Sequence, residues 1–319
     1  MPAATARRLA ESDKQTQVII KGGKTMADYS IHVLEYSYVA EYHKSGVLYG
    51  AHNQGYVKLP YCYVVLRSAD HVALVDVGYN DKDYGKHLGD KFGVENWRSP
   101  QVVLAELGLT PEDVDTVFIT HAHFDHFGNV EDFPNATFYI QRDEIEKWVW
   151  AMSLPDRLKW MMIAVDPSDV LRGVNLAAQG RLRTVEGSLD NVLPGVDLHL
   201  ARDSHTFGSM WVTVRNDGMA DSQDTWVLAG DLVYQFANIE NDGSIVGVDK
   251  MYTPVGLALG SQMNLLLATE EMMKQTGYEA RRVIPIHEEG LADTFPCRIS
   301  KEGLRISEIC LADGAESFV

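Results

Sequence analysis

A cluster of ionisable side chains follows a short apolar run in the first half of the chain. The segment ITHAHFDHFGNV, residues 119–130, contains three histidines and an aspartate in close succession. Histidine is rarely fully buried without a partner, so this cluster is solvated, hydrogen-bonded or bound to an ion. In an extended loop His121 and His123 point the same way and can chelate one ion, whereas Asp125 and His126 face a neighbouring position. One short segment can therefore serve two metal ions.

Other polar side chains follow apolar, strand-like segments elsewhere in the chain. They are Asp76 in ALVDVG, His205 after LARDS, Asp231 after WVLAG and His287 after VIPI. Open α/β sheets usually build their sites at strand ends, where rigid elements aim the side chains. Three histidine nitrogens are typical of a hydrolytic zinc site, and carboxylates with histidine suit a second divalent ion. His205 and His287 could complete two such sets, with Asp231 between them.

The segments that must position these residues alternate between strand-like and helix-like patterns. Strands are predicted over 29–39, 61–68, 71–78, 115–120, 136–141, 181–187, 196–204, 209–216, 225–231, 281–287 and 304–312, and helices over 99–109, 142–152 and 257–276. This alternation predicts a layered α/β protein. Because no Pro- or Ser-rich linker interrupts this series, residues 29–319 are predicted to form one domain. Residues 1–28 are interpreted as an N-terminal extension, either disordered or an interface arm.

The composition limits the class of partner. Lys and Arg total 28 against 45 Asp and Glu, which gives a formal net charge of -17. Nucleic-acid binding draws on concentrated positive charge, so a small-molecule substrate is expected and nucleic acid is not. No segment is apolar over a length that spans a membrane. The three cysteines, Cys62, Cys297 and Cys310, form no CxxC pair, which indicates a reducing compartment and predicts a cytoplasmic location.

The motif HAHFDH resembles the HxHxDH signature of the metallo-β-lactamase superfamily, and the resemblance continues in order through LVDVG, HTFGS, LAGD and IPIH. It implies a four-layer αβ/βα sandwich with a dinuclear site at the edge of its two sheets. The implied ligands are His121, His123 and His205 for one ion, Asp125, His126 and His287 for the other, and Asp231 shared by both. Two divalent ions are implied, with Zn2+ expected and Fe or Mn as alternatives.

A second resemblance concerns Tyr234, three positions after Asp231 in GDLVY. A tyrosine at that offset is similar to the one that reaches the substrate carbonyl in N-acyl-homoserine lactonases and related lactone hydrolases. The resemblance implies a hydrolase that opens a lactone by attack of a metal-bridging hydroxide, with Tyr234 stabilising the oxyanion and Asp125 moving the proton. Asp76 is interpreted as orienting the ligands or as capping the turn at Gly78. Tyr234 could also be an ordinary core tyrosine.

Several alternatives stay open at this level. The same site could serve an organophosphate or aryl ester hydrolase or a thioesterase, and a metabolite-binding sensor is the non-enzymatic alternative. Residues 148–165, WVWAMSLPDRLKWMMIAV, are rich in Trp and Met. Such a segment packs in the core or in a homodimer interface, or it forms a lid over an apolar or aromatic substrate.

Overall fold

The computed structural model describes residues 28–319 of the chain. Sixteen strands lie within this range. They are β1 (Ser30–His43), β2 (Tyr56–Arg67), β3 (Val72–Val75), β4 (Val94–Glu95), β5 (Thr116–Phe118), β6 (Thr137–Gln141), β7 (Leu182–Val185), β8 (Leu189–Leu193), β9 (Val196–Arg202), β10 (Gly208–Arg215), β11 (Thr225–Leu228), β12 (Asn241–Asp242), β13 (Lys250–Met251), β14 (Val283–Ile284), β15 (Cys297–Ile299) and β16 (Arg305–Cys310). Apart from Asp28, the predicted N-terminal extension lies outside the described residues.

Eight α-helices connect or flank these strands in the described range. They are α1 (Lys44–Val47), α2 (Asp83–Phe92), α3 (Pro100–Leu104), α4 (Phe124–Phe127), α5 (Arg142–Met152), α6 (Pro167–Ala178), α7 (Phe236–Ile239) and α8 (Gln262–Gln275). The helix predicted over 142–152 is confirmed as α5. The helix predicted over 257–276 begins later than expected, because Ser261 caps α8 by accepting from the backbone of Asn264. No helix in residues 28–319 is long and apolar enough to cross a membrane.

Two large sheets organise the described chain. The nine-stranded sheet has the order β15-β16-β1-β2-β3-β5-β6-β7, with β4 paired to β1, and the five-stranded sheet has the order β14-β11-β10-β9-β8. Neighbours are parallel from β3 through β5 and β6 to β7, and again between β11 and β14. The ends of β3 and β5 therefore meet at one edge, as do those of β11 and β14.

The two sheets face each other across an apolar core, and helices cover their outer faces. Alternate residues of β2 show this arrangement: Val64 and Leu66 join the core between the sheets, whereas Tyr63 and Val65 pack with the helices. Strands buried on both faces read as continuous apolar runs, which is why YCYVVL is so uniformly apolar. These layers confirm the predicted four-layer αβ/βα sandwich. That residues 29–319 form a single domain stays a prediction.

Candidate metal centre

Seven predicted site residues come together at one edge of the sandwich. His121 and His123 lie in the loop after β5, and α4 carries Asp125 and His126. His205 lies between β9 and β10, Asp231 follows β11 and His287 follows β14, so both sheets contribute. Each of the seven has at most 8% of its surface exposed. The structure thus brings the whole predicted set into one buried cluster, and the role of its members as ligands stays a prediction.

Three histidines and one oxygen of Asp231 form the first group, which we call the three-histidine group. His205 Nε2 lies 3.0 Å from His123 Nδ1. Asp231 Oδ2 lies 3.1 Å from His205 Nε2 and 3.6 Å from His121 Nε2. Four potential ligand atoms therefore converge on one point.

Asp125, His126 and His287 form the second group, which we call the mixed group. His126 Nε2 lies 3.5 Å from Asp125 Oδ2 and 3.1 Å from Asp231 Oδ1. His287 Nε2 is 3.0 Å from the same Asp231 oxygen. Each carboxylate oxygen of Asp231 thus faces one group, which is the geometry of a bridging ligand.

The residues present fit a pair of divalent ions. Metal-ligand bonds of 2.0–2.2 Å in tetrahedral geometry separate neighbouring ligand atoms by about 3.3–3.6 Å, close to the spacings within both groups. The Nε2 atoms of His121 and His126 are buried without a hydrogen-bond partner in the described part of the chain. A buried polar atom without a partner is costly, so a bound cation would relieve both. The type and spacing of these seven side chains therefore suit two divalent ions.

Burial and neighbouring charges set the protonation states within the cluster. Burial lowers the pKa of His121 well below its ordinary value and lowers that of His123 to about 3. Burial opposes charge on His126 as well, but the surrounding carboxylates, foremost Asp231, outweigh it and raise the pKa of that ring. Burial would raise the pKa of Asp231, yet the neighbouring histidines hold it well below its usual range. Neutral imidazoles and an ionised carboxylate are the forms that bind a metal ion. The pKa shifts therefore favour the binding form of His121, His123 and Asp231, whereas His126 must release a proton when an ion binds.

Asp76 lies directly behind the cluster and orients His126. Its Oδ2 accepts hydrogen bonds from His126 Nδ1 at 2.7 Å and from the hydroxyl of Thr120, and its Oδ1 accepts from the backbone nitrogen of Thr120. Asp76 adopts a φ of 65°, a left-handed conformation that is uncommon outside glycine. This carboxylate supports the cluster and does not cap the turn at Gly78.

Two further contacts outside the predicted set fix the mixed group. His287 Nδ1 lies 2.6 Å from the carbonyl oxygen of Pro60 in β2, to which it can donate. The hydroxyl of Tyr36 donates to the carbonyl oxygen of Asp125 at 2.7 Å. Both partners are far from their targets in sequence, so nothing in the local motifs pointed to them.

A small cavity of about 20 Å³ adjoins the cluster, and Tyr234 lines it. The Tyr234 ring is 4.7 Å from the His287 ring, and its phenol pKa is raised well above 10, first by burial and then by Asp231. Other lining side chains are aromatic or aliphatic: Tyr42, Leu59, Tyr61, Phe92, Phe124, Ala164 and Leu257. The volume admits roughly one water molecule, so a larger ligand requires the rim to move.

Residues 148–165 combine packing and cavity-lining positions. Trp148 is fully buried, with its ring 6.3 Å from that of His123, whereas Trp160 is 67% exposed. Ala164 borders the small cavity. A separate, largely apolar cavity of about 220 Å³ lies between Trp148, Met161 and Leu259. Trp148 therefore supports the interpretation of this segment as a packing element, and Ala164 supports the interpretation as a cover over the site.

Sequence reasoning missed Glu144 and Thr120. Glu144 is a fully buried carboxylate on α5, and Thr120 places its hydroxyl 3.0 Å from His121 Nδ1. The position of Glu144 one helical turn before the buried Trp148 was the available signal, because a glutamate on an apolar helix face needs hydrogen-bond donors.

Known proteins resemble part of this chain. A "Probable metallo-hydrolase" of Mycobacterium tuberculosis is 28% identical over 192 residues, which cover 56% of this chain and 59% of that relative. The N-acyl homoserine lactonase AiiB of Agrobacterium fabrum is 27% identical over 135 residues, 42% of this chain and 46% of that protein. The chain thus spans about three fifths or less of the length of these curated relatives.

Solved structures share the fold at lower identity. AidC, described as a dizinc quorum-quenching lactonase in complex with a homoserine product, aligns with a TM-score of 0.59 at 16% identity, covering 88% of this chain and 94% of AidC. The family model described as the metallo-beta-lactamase superfamily matches residues 55–287, a range that contains all seven clustered residues. With its layered fold and that match, the chain belongs to the metallo-beta-lactamase superfamily.

Proposed function

We propose that this protein is a metal-dependent hydrolase that opens a lactone, a cyclic ester, with two divalent ions held by the three-histidine and mixed groups. His121, His123 and His205 would hold one ion, Asp125, His126 and His287 the other, and Asp231 would lie between them. When bound, such a pair supplies a hydroxide nucleophile at neutral pH and stabilises negative charge on oxygen. Zn2+ is the first expectation for this set of nitrogen and carboxylate ligands.

The position of Tyr234 carries the proposal. Its phenol lies in the cavity beside Asp231 and His287, and its raised pKa keeps the hydroxyl protonated as a donor. A donor at that place can stabilise the negative charge that develops on a carbonyl oxygen during hydrolysis. Asp125, whose pKa is lowered by the neighbouring histidines against the effect of burial, can accept a proton and deliver it to the leaving alkoxide.

The lining of the cavity supports a compact substrate with an apolar or aromatic part. Phe92 and Phe124 stack with their ring centroids 5.6 Å apart, and the Tyr61 ring lies 6.2 Å from that of Phe124. Such a wall excludes water and favours flat or apolar groups. Tyr42, Phe92 and Leu257 are only half-buried, which makes them the side chains that must move for a substrate to enter.

Relatives support the same chemistry. AiiB is named as an N-acyl homoserine lactonase, and AidC is described as a dizinc quorum-quenching lactonase. The AidC structure is a complex with a homoserine product, in which the lactone ring is open. Because both proteins have low sequence identity to this chain, experiment must identify the substituents on the substrate of this protein.

The test compares Tyr234→Phe with Tyr63→Phe. Tyr234→Phe removes one donor from the oxyanion, so kcat for aliphatic lactones should fall by about 10- to 100-fold while metal content stays unchanged. The loss should be smaller for activated aryl esters, because their leaving groups need less stabilisation. Tyr63 is an equally buried tyrosine outside the cavity whose hydroxyl has no partner in the described chain, so Tyr63→Phe should retain full activity.

The substrate panel for this experiment should include lactones, aryl esters, thioesters and phosphotriesters. Fastest turnover of phosphotriesters, aryl esters or thioesters would replace the lactonase proposal with that activity. A metal-loaded protein that turns over none of them would support a metabolite-binding sensor. Equal and negligible effects of Tyr234→Phe on all substrates would make Tyr234 a packing residue and remove the main support for lactone opening.

A further inference from the structure

Glu144 forms a hydrogen-bonding centre beneath the three-histidine group. Its Oε2 accepts from the backbone nitrogen of Ala122 and from the indole Nε1 of Trp148, both at 2.8 Å. Its Oε1 accepts from the hydroxyl of Thr206 at 2.7 Å and from the backbone nitrogen of Gly208 at 2.6 Å. Glu144 is completely buried, so these four donors replace the water that would otherwise solvate the carboxylate.

Two of these donors lie next to the histidines of the cluster in sequence. Ala122 stands between His121 and His123, in the loop that follows the larger sheet. Thr206 directly follows His205, in the loop that leaves the smaller sheet. The two loops converge on one carboxylate, which therefore sets the distance between ligands that come from different sheets.

We propose that Glu144 is a positioning residue for the ion of the three-histidine group. A buried anion is stable only while its donors surround it, so the carboxylate and the two loops hold each other in place. Metal sites require ligands held within about 0.5 Å of their productive geometry, and a shared anchor supplies that precision. This inference rests on the proposed metal site, but not on a lactone as substrate.

The contacts of Glu144 make its effect selective. Its four hydrogen bonds go to Ala122, Trp148, Thr206 and Gly208, and none goes to a residue of the mixed group. That group has its own supports, as Asp76 and the Pro60 carbonyl orient its histidines. Loss of the carboxylate should therefore weaken one ion and spare the other, whereas a purely structural role would weaken both or neither.

Glu144→Gln tests the proposal with little change of shape. An amide offers one acceptor oxygen, and its NH2 group would face two donors in either orientation, so two of the four hydrogen bonds are lost. Titration of the metal-free protein with Zn2+ in a calorimeter should show one ion bound about 10- to 100-fold more weakly and the other unchanged. Absorption of the Co2+-loaded protein, compared with that of His123→Ala and His287→Ala, identifies which ion is affected.

Asp197→Asn provides the matched control. Asp197 is also a buried carboxylate, which accepts from the backbone of Asn191 at 2.8 Å and from Arg215 Nε at 2.7 Å. It lies near the start of β9, at the end of the strand away from His205. This variant should lower the melting temperature without changing either metal affinity.

Thr206→Val is the second variant, because Glu144→Gln could fail to fold. It removes a single donor from Glu144 at nearly constant volume. The ion of the three-histidine group should therefore bind about three- to tenfold more weakly than in the wild type, a smaller loss than in Glu144→Gln, while the other ion keeps its affinity.

The outcomes separate the two proposals. Unchanged affinities in folded Glu144→Gln, or equal weakening of both ions, would overturn the positioning role. If Glu144→Gln does not fold, unchanged affinities in Thr206→Val would overturn it. A wild-type protein that binds no metal ion would instead overturn the proposed function itself.

Discussion

The two halves of the cluster are supported in different ways. In the mixed group each imidazole is held by an acceptor of its own: Asp76 lies 2.7 Å from His126 Nδ1, and the Pro60 carbonyl lies 2.6 Å from His287 Nδ1. Such acceptors fix the tautomer and the ring orientation and raise the basicity of the ligand. The mixed group is therefore tuned directly through its side chains.

In the three-histidine group the support acts mainly through the backbone. In the described part of the chain, the one hydrogen-bond partner of His121 Nδ1 is the neutral hydroxyl of Thr120, at 3.0 Å. Within residues 28–319, His123 Nε2 and His205 Nδ1 are buried and have no hydrogen-bond partner. Their loops are held instead by Glu144. The difference shows that one fold can orient ligands either through ring contacts or by anchoring the loops that carry them.

Removal of both ions should have the largest effect, since it leaves both halves of the cluster without a cation. An ion present at a hundredfold excess over its Kd stabilises the native state by about 2.7 kcal/mol, and two ions contribute twice. Chelation should therefore lower the melting temperature clearly and abolish hydrolysis, as followed by calorimetry and an ester assay. A melting temperature that chelation leaves unchanged would contradict a metal centre integral to the fold.

Loss of one ligand from each half should separate the two ions. His123→Ala and His287→Ala should both abolish hydrolysis, and each should release mainly the ion of its own group, because the remaining ligands of the other group are intact. Elemental analysis of the purified variants checks this. If either variant keeps two tightly bound ions, the division into two groups is wrong.

Asp76→Asn should sharpen the comparison further. Asparagine fits the left-handed backbone at this position, but it loses the charge that polarises His126. The ion of the mixed group should bind about 10- to 100-fold more weakly, with a smaller effect on the other ion, as measured by calorimetric titration. An equal effect on both ions would show that Asp76 supports the cluster as a whole.

Thr120→Val should give the smallest effect. The change removes the hydroxyl between Asp76 and His121 at nearly constant volume, and its contact with His121 is a neutral hydrogen bond worth about 0.5–1.5 kcal/mol. The ion of the three-histidine group should bind roughly three- to tenfold more weakly. The other ion should be affected less, because Asp76 keeps its hydrogen bonds to His126 and to the backbone of Thr120. A larger effect than that of Asp76→Asn would reverse the proposed order of the two kinds of support.

The sequence predicted the cluster because its signals are local. HAHFDH places four candidate ligands on one loop and a short helix, and the remaining three follow short apolar strands. The layered fold followed from the alternation of strand and helix patterns, and α5 was predicted with its observed bounds. The start of α8 was predicted too early, because the cap at Ser261 was not recognised.

The contacts that tune the cluster could not be read from the sequence. Glu144 meets Thr206 and Gly208 across 62 and 64 positions of the chain, and His287 meets Pro60 across 227. Similarly, Tyr42 and Tyr61 joined the cavity only through the packing of β1 and β2 against the helices. Such pairs depend on how separate elements pack, and a pattern within one segment carries no information about its distant neighbours.

The sequence by itself therefore determined which side chains can bind metal ions and which strands carry them, because residue type and short-range periodicity are local properties. The family resemblance of its motifs also implied how those side chains divide between two groups, but only the tertiary structure decided the distances, since Asp231 must present one oxygen to each group. The tertiary structure also decided which supports each group receives. The physical reason is that hydrogen-bond partners, burial and the resulting pKa shifts arise when the two sheets close on each other and exclude water.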